Sequence, residues 1–285
     1  MSRAAFGAAA FNRAFARGWL LLGFAFLYVP IVALVVYSFN DSPVANVWRG
    51  FTLKWYAALA SDRELLAGLA LSLKVAFTTA CASVVLGTLA AFALTRYRRF
   101  FGRTLFAGMV AAPLVMPEVI IGLSLLLMLV SVQRAIGFPE RGVLTIWLGH
   151  LLLGMAYATV VVQSRLVTFD KSLEEAAWDL GCPPMKTFFV VTLPIILPAV
   201  VSAWMLAFTL SLDDLVISSF TTGPGATTLP MKIYSDVRLG VKPEINAIST
   251  ILIAIVSVAV IGASIGTKIG EQRREKERRI AAAAP

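Results

Sequence analysis

The chain has 285 residues, 59% of them hydrophobic and 14% charged, with a mean hydropathy of +0.82 and a formal net charge of +9. Soluble domains carry about 25% charged residues, so this composition excludes a soluble globular domain and predicts a protein that crosses a membrane several times. In such a chain an excess of Lys and Arg marks the cytoplasmic face rather than a nucleic-acid partner, and two cysteines, Cys81 and Cys182, give no disulfide framework.

Residues 1–18 carry Arg3, Arg13 and Arg17 and precede the apolar run Trp19–Phe39, broken only by Pro30. The apolar core of a signal peptide is about 7–15 residues. This run is long enough to span, so it reads as an uncleaved first helix. Asn40 to Gly68 is polar and mixed, with Trp48, Trp55 and Tyr56 suited to a membrane interface. Leu69–Thr95 is the second span, followed by Arg96, Arg98, Arg99 and Arg103 in a tight basic loop. Thr104–Val130 is the third span and carries Pro113, Pro117 and Glu118. Val143–Val162 is the fourth and holds the single histidine, His150, whose expected job is a hydrogen bond between packed helices. Leu193–Phe220 is the fifth span, with Asp213 and Asp214 towards its end, and Ile245–Ile265 is the sixth. Thr221–Glu244, between them, is a loop bearing Gly and Pro. The charged tail Lys268–Arg279 reads as a solvated helix near the anionic inner leaflet.

Six spans put both ends of the chain on one side. That side also holds the Arg96 loop and residues 163–192, and it carries 16 Lys and Arg against eight on the other. The excess places the termini and the 163–192 loop in the cytoplasm. The expected organisation is a cytoplasmic segment 1–18, a six-span domain 19–265 and a cytoplasmic tail 266–285.

Within 163–192 a short helix has written start and stop signals. Ser172 is the expected N-cap, with Glu175 three residues on, as in a capping box. Gly181 supplies the left-handed residue after the helix, and Pro183 and Pro184 forbid continuation. Leu173, Ala176, Ala177 and Leu180 fall at i, i+3, i+4 and i+7, one apolar stripe, with Glu174, Glu175 and Asp179 off it. A helix this short is marginal alone in water. Its stripe suits docking into a groove of a partner.

Charge inside a span is expensive and usually faces a cavity or a partner. As part of a regular helix, Glu118 would lie about 21 Å into the third span, past the midplane. Asp213 and Asp214 would lie about 30 Å into the fifth, near the outer mouth. Neighbours on a helix point about 100° apart, so one aspartate at most looks into a pathway and the other caps or pairs. Solute binding and structural pairing both stay open for the aspartates. For Glu118, pairing is the favoured reading.

The chain has no G-x-x-x-x-G-K-[ST], no H-E-x-x-H and no G-x-S-x-G. It is therefore expected to catalyse no chemistry, to bind no metal and no cofactor, and to obtain any ATP-driven work from another chain.

Two sets of residues carry a resemblance. Glu175-Ala176-Ala177, three residues, Gly181, nine residues, then Val191-Thr192-Leu193-Pro194 resembles the EAA loop of bacterial ABC-importer permeases, departing only in Val191 where Ile is usual. The segments Ala112–Glu118, Phe208–Val216, Gly223–Pro230 and Gly240–Ala247 resemble polyamine-importer permeases in particular. The likeness extends from about Trp19 to Ile265. It implies an inner-membrane permease of the type I ABC-importer fold, with putrescine ahead of spermidine as solute. It implies a second permease subunit, two cytoplasmic P-loop ATPases that bind ATP and Mg, and a periplasmic polyamine-binding protein. In this family the EAA loop is the coupling helix seated in a cleft of the ATPase. An importer of ferric ion, thiamine or an oxyanion is the alternative within the class. A proton-coupled secondary carrier is the alternative outside it, and there the capped helix has no role.

Overall fold

The computed structural model describes residues 3–42, 47–97, 100–240, 243–258 and 261–262, with backbone alone for 3–14. Among them every element is helical, apart from one isolated antiparallel bridge between Asn40 and Phe51. In chain order the helices are α1 (Arg3–Tyr37), α2 (Lys54–Ser61), α3 (Arg63–Arg96), α4 (Arg103–Val115), α5 (Glu118–Ile136), α6 (Val143–Val167), α7 (Ser172–Asp179) and α8 (Pro184–Thr187). A π turn, Phe188–Thr192, leads from α8 into α9 (Leu193–Leu212). Then come α10 (Val216–Thr221), α11 (Leu229–Leu239) and α12 (Pro243–Val258). Among the described residues five stretches are long and apolar enough to cross a membrane: Phe15–Tyr37, Arg63–Arg96, Glu118–Ile136, Val143–Val167 and Pro184–Leu212. The expected sixth span corresponds to α12, a shorter apolar helix. The charged tail lies outside the described residues.

The chain forms two compact units, 63–235 and a unit joining 1–62 with 236–285. In the second of these, α1 leads into a turn organised by Asn40. The Asn40 side chain accepts from the amides of Ser42 and Arg49 and donates to the Val47 carbonyl, while Trp55 Nε1 donates to the Asn40 carbonyl at 2.7 Å. Phe39 stacks on Phe51 at 5.3 Å and packs on Tyr56. Burying these backbone groups with partners allows an irregular turn to sit beside a span.

The unit 63–235 is built on α3, α6 and α9, which pack on one another. Its central cluster is Ala91, Ala158, Val162, Leu166, Phe169, Ile196 and Ala203. Small residues set how close the helices come, since water drives no association inside a membrane and packing must do so. A Cβ added at Gly87 would come within 2.6 Å of the Ala158 Cβ, and one at Gly154 would overlap the Ser83 hydroxyl. α5 packs against α10 through Gly122 and Phe220.

Two expected spans are not continuous. The third breaks between α4 and α5 at Met116 and Pro117. Pro117 has no amide hydrogen to donate, and the residue before a proline is pushed out of the helical region; Met116 sits at φ −83°, ψ 140°. Glu118 therefore opens a new helix and does not lie deep inside one. The fifth span ends at Leu212, and Asp213, Asp214 and Leu215 link it to α10. The two aspartates occupy this break, so the 100° rule for helical neighbours does not describe them.

Candidate functional site

α7 ends as its sequence directs. Gly181 takes φ 78°, its amide donates to the Trp178 carbonyl at 2.8 Å, and the Cys182 amide donates to the Ala177 carbonyl at 3.0 Å. These two bonds form a Schellman motif. Pro184 then occupies the first position of α8, where a missing amide hydrogen costs nothing.

The start of α7 differs from the expected capping box. Ser172 is already helical, and its amide donates to Asp170 Oδ1 at 3.0 Å. This bond holds the Asp170 carboxyl below the usual carboxylate range. Asp170 thus does the work expected of Ser172 and Glu175. The signal in the sequence was an Asp two residues upstream, a capping residue equal in preference to Ser.

The apolar stripe is turned outward. Leu173 is 45% exposed and Leu180 89%, Ala176 is exposed and Ala177 half-buried. Trp178, 47% exposed, adds an aromatic to this surface that the stripe omitted. Glu175 is exposed and lines a cavity of about 390 Å³ shared with Arg96, Glu174, Trp178 and Thr192.

Glu174, which the sequence placed off the apolar stripe, is 5% exposed. Its Oε1 accepts from Arg96 Nη2 at 2.9 Å and from Thr192 Oγ1 at 2.6 Å. Arg96 is the last residue of α3 and Thr192 the last of the π turn, so this single oxygen joins three elements. Phe92 and Phe169 flank the guanidinium, with ring centroids 5.8 and 5.2 Å from it. Sequence reasoning missed Glu174 because the stripe was drawn from apolar residues alone, and its partners Arg96 and Thr192 lie 78 and 18 residues away.

The second candidate site lies where α9 ends. Asp214 is nearly buried, its side chain 7% exposed. It accepts from the amides of Ser218 at 2.7 Å and Ile217 at 3.2 Å, capping α10. His150, on α6, meets Asp214 Oδ2 at 3.0 Å through Nε2 and Ser211 Oγ at 2.6 Å through Nδ1. Asp213, by contrast, is exposed, and among the described residues it makes no side-chain hydrogen bond or ion pair. Glu118 is also exposed, in the first turn of α5, where free amides and the helix dipole favour a negative charge. Among the described residues no hydrogen bond or ion pair joins Glu118 to either aspartate. Chemically, one partnered carboxylate and two open ones can hold a helix break in place and still offer charge to a cation.

Residues 83–276 match the family described as the binding-protein-dependent transport system inner membrane component. The chain belongs to this family. The permease is 55% identical, over 84% of its length and 85% of the relative's, to the putrescine transport system permease protein PotI of Escherichia coli (strain K12). It is 39% identical, over 87% of its length and 92% of the relative's, to the spermidine/putrescine transport system permease protein PotC of the same strain. Among solved structures it resembles a bacterial ABC transporter involved in the import of the acidic polysaccharide alginate. That likeness has a TM-score of 0.68 at 16% identity and covers 94% of this chain and 98% of the other. The inward-facing MetNI methionine ABC transporter matches with a TM-score of 0.52 at 19% identity, over 72% of this chain and 94% of that one. Those two likenesses show the fold alone, the all-α fold of ABC-importer permeases expected from the EAA-like loop. In that fold the permease is a multi-pass membrane protein.

Proposed function

We propose that this permease forms half of the translocation pathway of an ATP-driven polyamine importer in the inner membrane, with putrescine as its first solute and spermidine next. The observation that carries the reading is the 55% identity to a putrescine permease over most of both chains. Its partners are a second permease subunit, two cytoplasmic ATPases that bind ATP and Mg, and a periplasmic polyamine-binding protein. α7 docks on an ATPase through Leu173, Ala176, Ala177 and Leu180, with Gly181 ending that helix and the exposed Glu175 beside the stripe. ATP binding closes the cytoplasmic side, and α7 carries the movement to the spans. Asp213 and Glu118 offer open carboxylates to a solute bearing two or more ammonium groups, which suits a cation and opposes an oxyanion. Asp214 shares that break but is held by His150. The exposed apolar stripe supports the coupled importer over a secondary carrier, which gives the stripe nothing to dock on.

The test is uptake of labelled putrescine by cells that lack their own polyamine uptake and express this chain with its partner subunits. Uptake that requires the ATPase and is competed by spermidine, but not by thiamine or ferric ion, is the expected result. Uptake competed by one of the other solutes, or driven by a proton gradient without the ATPase, overturns it.

A further inference from the structure

Three helix ends converge on one buried oxygen beside the proposed docking surface. Glu174 sits in the first turn of α7, next to the exposed Leu173, and its side chain is 7% exposed while that of Arg96 is 10% exposed. Arg96 is 78 residues away along the chain and ends α3. Thr192 is 18 residues away and ends the π turn from which α9 starts. α3 and α9 are two of the three helices that form the core of this unit. A displacement of α7 therefore reaches that core through side chains as well as through the backbone.

The geometry of Arg96 makes this link exacting. Among the described residues its Nε and Nη1 are buried without a hydrogen-bond partner, and rings of Phe92 and Phe169 flank it. Glu174 is the carboxylate that compensates it, through Nη2 alone. Charged hydrogen bonds shorten and strengthen where water is excluded. A buried charge cannot slide away from its counterion without a large penalty. The pair behaves as a rigid joint and resists being drawn apart. Thr192 adds a second arm to the same oxygen, and a π turn is a one-turn irregularity often found at functional positions.

We propose that Glu174 is a positioning residue, the joint through which movement of α7 is passed to α3 by Arg96 and to α9 by Thr192. This rests on the reading that α7 docks on an ATPase, but it concerns a different set of side chains from the stripe that docks. The joint passes load on the membrane side of the helix, and the stripe receives it on the other.

The experiment uses the assembled transporter, with the partner subunits, in membranes or reconstituted vesicles. Thr192→Val removes one arm while keeping shape and the charge pair. The double variant Arg96→Met with Glu174→Leu removes both charges together, so neither is stranded. Both are measured for complex yield, ATPase retention, ATP hydrolysis and putrescine uptake per ATP hydrolysed. Ala177→Asp, placed on the stripe, is the control for docking and is read by loss of the ATPase on purification. The expected result is that both joint variants keep the ATPase, and that uptake per ATP falls about five- to 150-fold, the usual span of coupling between sites. Glu174→Asp in the wild-type background shortens the joint and falls between the two. Wild-type uptake per ATP in both joint variants overturns the proposal and leaves docking untouched. Loss of the ATPase from Thr192→Val overturns it as well, by assigning that hydroxyl to docking. An Ala177→Asp complex that keeps its ATPase and transports normally removes the docking reading, and with it the joint.

Discussion

Asp213 and Asp214 are adjacent carboxylates with opposite circumstances, and a single substitution at each separates solute contact from structural pairing. Asp214 needs both its oxygens as acceptors: Oδ1 takes the Ile217 amide, and Oδ2 takes the Ser218 amide and faces His150. An asparagine offers one acceptor and turns an NH₂ towards a donor. A buried group left unsatisfied costs about 1–3 kcal/mol, so Asp214→Asn is expected to lower the amount of assembled complex. Asp213 is exposed and has no such duty. If it meets an ammonium group, Asp213→Asn loses a charged contact worth about 1–3 kcal/mol, or roughly a five- to 150-fold fall in uptake at normal yield. Complex yield and putrescine uptake, measured side by side, check both. Equal yields and wild-type uptake for the pair would leave neither role standing. The sequence pointed to these two residues through the cost of charge in a span. It could not say which one was partnered, because His150 approaches Asp214 from 64 residues away and no local pattern encodes that meeting.

At the scale of the helix, local chemistry was legible and interruptions less so. The end of α7 follows from Gly181 and the prolines after it, because a left-handed residue and a missing amide hydrogen act within a turn. The breaks at Pro117 and at Asp213 were hidden by hydropathy, since long apolar runs flank both and outweigh the few polar residues between them. Pro117 was a usable signal, as a proline disturbs the residue before it. At the break after Leu212 the usable signal was Asp214, a favoured helix-capping residue. Helix packing was not read from the sequence, although small residues such as glycine set it. Gly154 on α6 faces Ser83 on α3, where a Cβ would overlap the hydroxyl. Gly154→Val is therefore expected to force the two helices apart. Overpacking of this kind costs about 1–3 kcal/mol, read as a lower yield of folded permease and an earlier loss of monodispersity on heating in detergent. Gly108, with nothing within 4 Å of an added Cβ, is the matched control, and Gly108→Ala should change neither. A Gly154→Val permease as heat-resistant as the wild type would show that α3 and α6 do not meet at this point.

At the scale of the whole molecule, the open question is which end of the 63–235 unit faces the cytoplasm. Within that unit, Arg96 at one end of α3 meets Glu174 of the 163–192 loop, and Glu64 at the other end pairs with Lys232 of α11 at 2.8 Å. α3 has 34 residues, about 51 Å at 1.5 Å per residue, longer than the roughly 30 Å of a bilayer core. The two contacts must therefore lie on opposite faces of the membrane, whichever way the chain is inserted. Charge then predicts the direction: the basic excess around Arg96 is expected to put that end inside. The prediction is read by an impermeant thiol reagent on intact cells. Phe101→Cys, at an exposed site beside Arg96, should be protected, and Ser235→Cys, exposed on α11, should be labelled. Both positions avoid the positive φ of Gly102 and Gly225, where a cysteine would strain the backbone. The background lacks Cys182 and carries Cys81→Ser, because Trp204 Nε1 donates to Cys81 Sγ at 3.3 Å and a serine keeps an acceptor there. Labelling of Phe101→Cys with protection of Ser235→Cys would invert the orientation and remove α7 from the reach of a cytoplasmic ATPase. Labelling of both in sealed cells would contradict the length of α3 itself, because no single-direction insertion leaves the two ends of a spanning helix on one side.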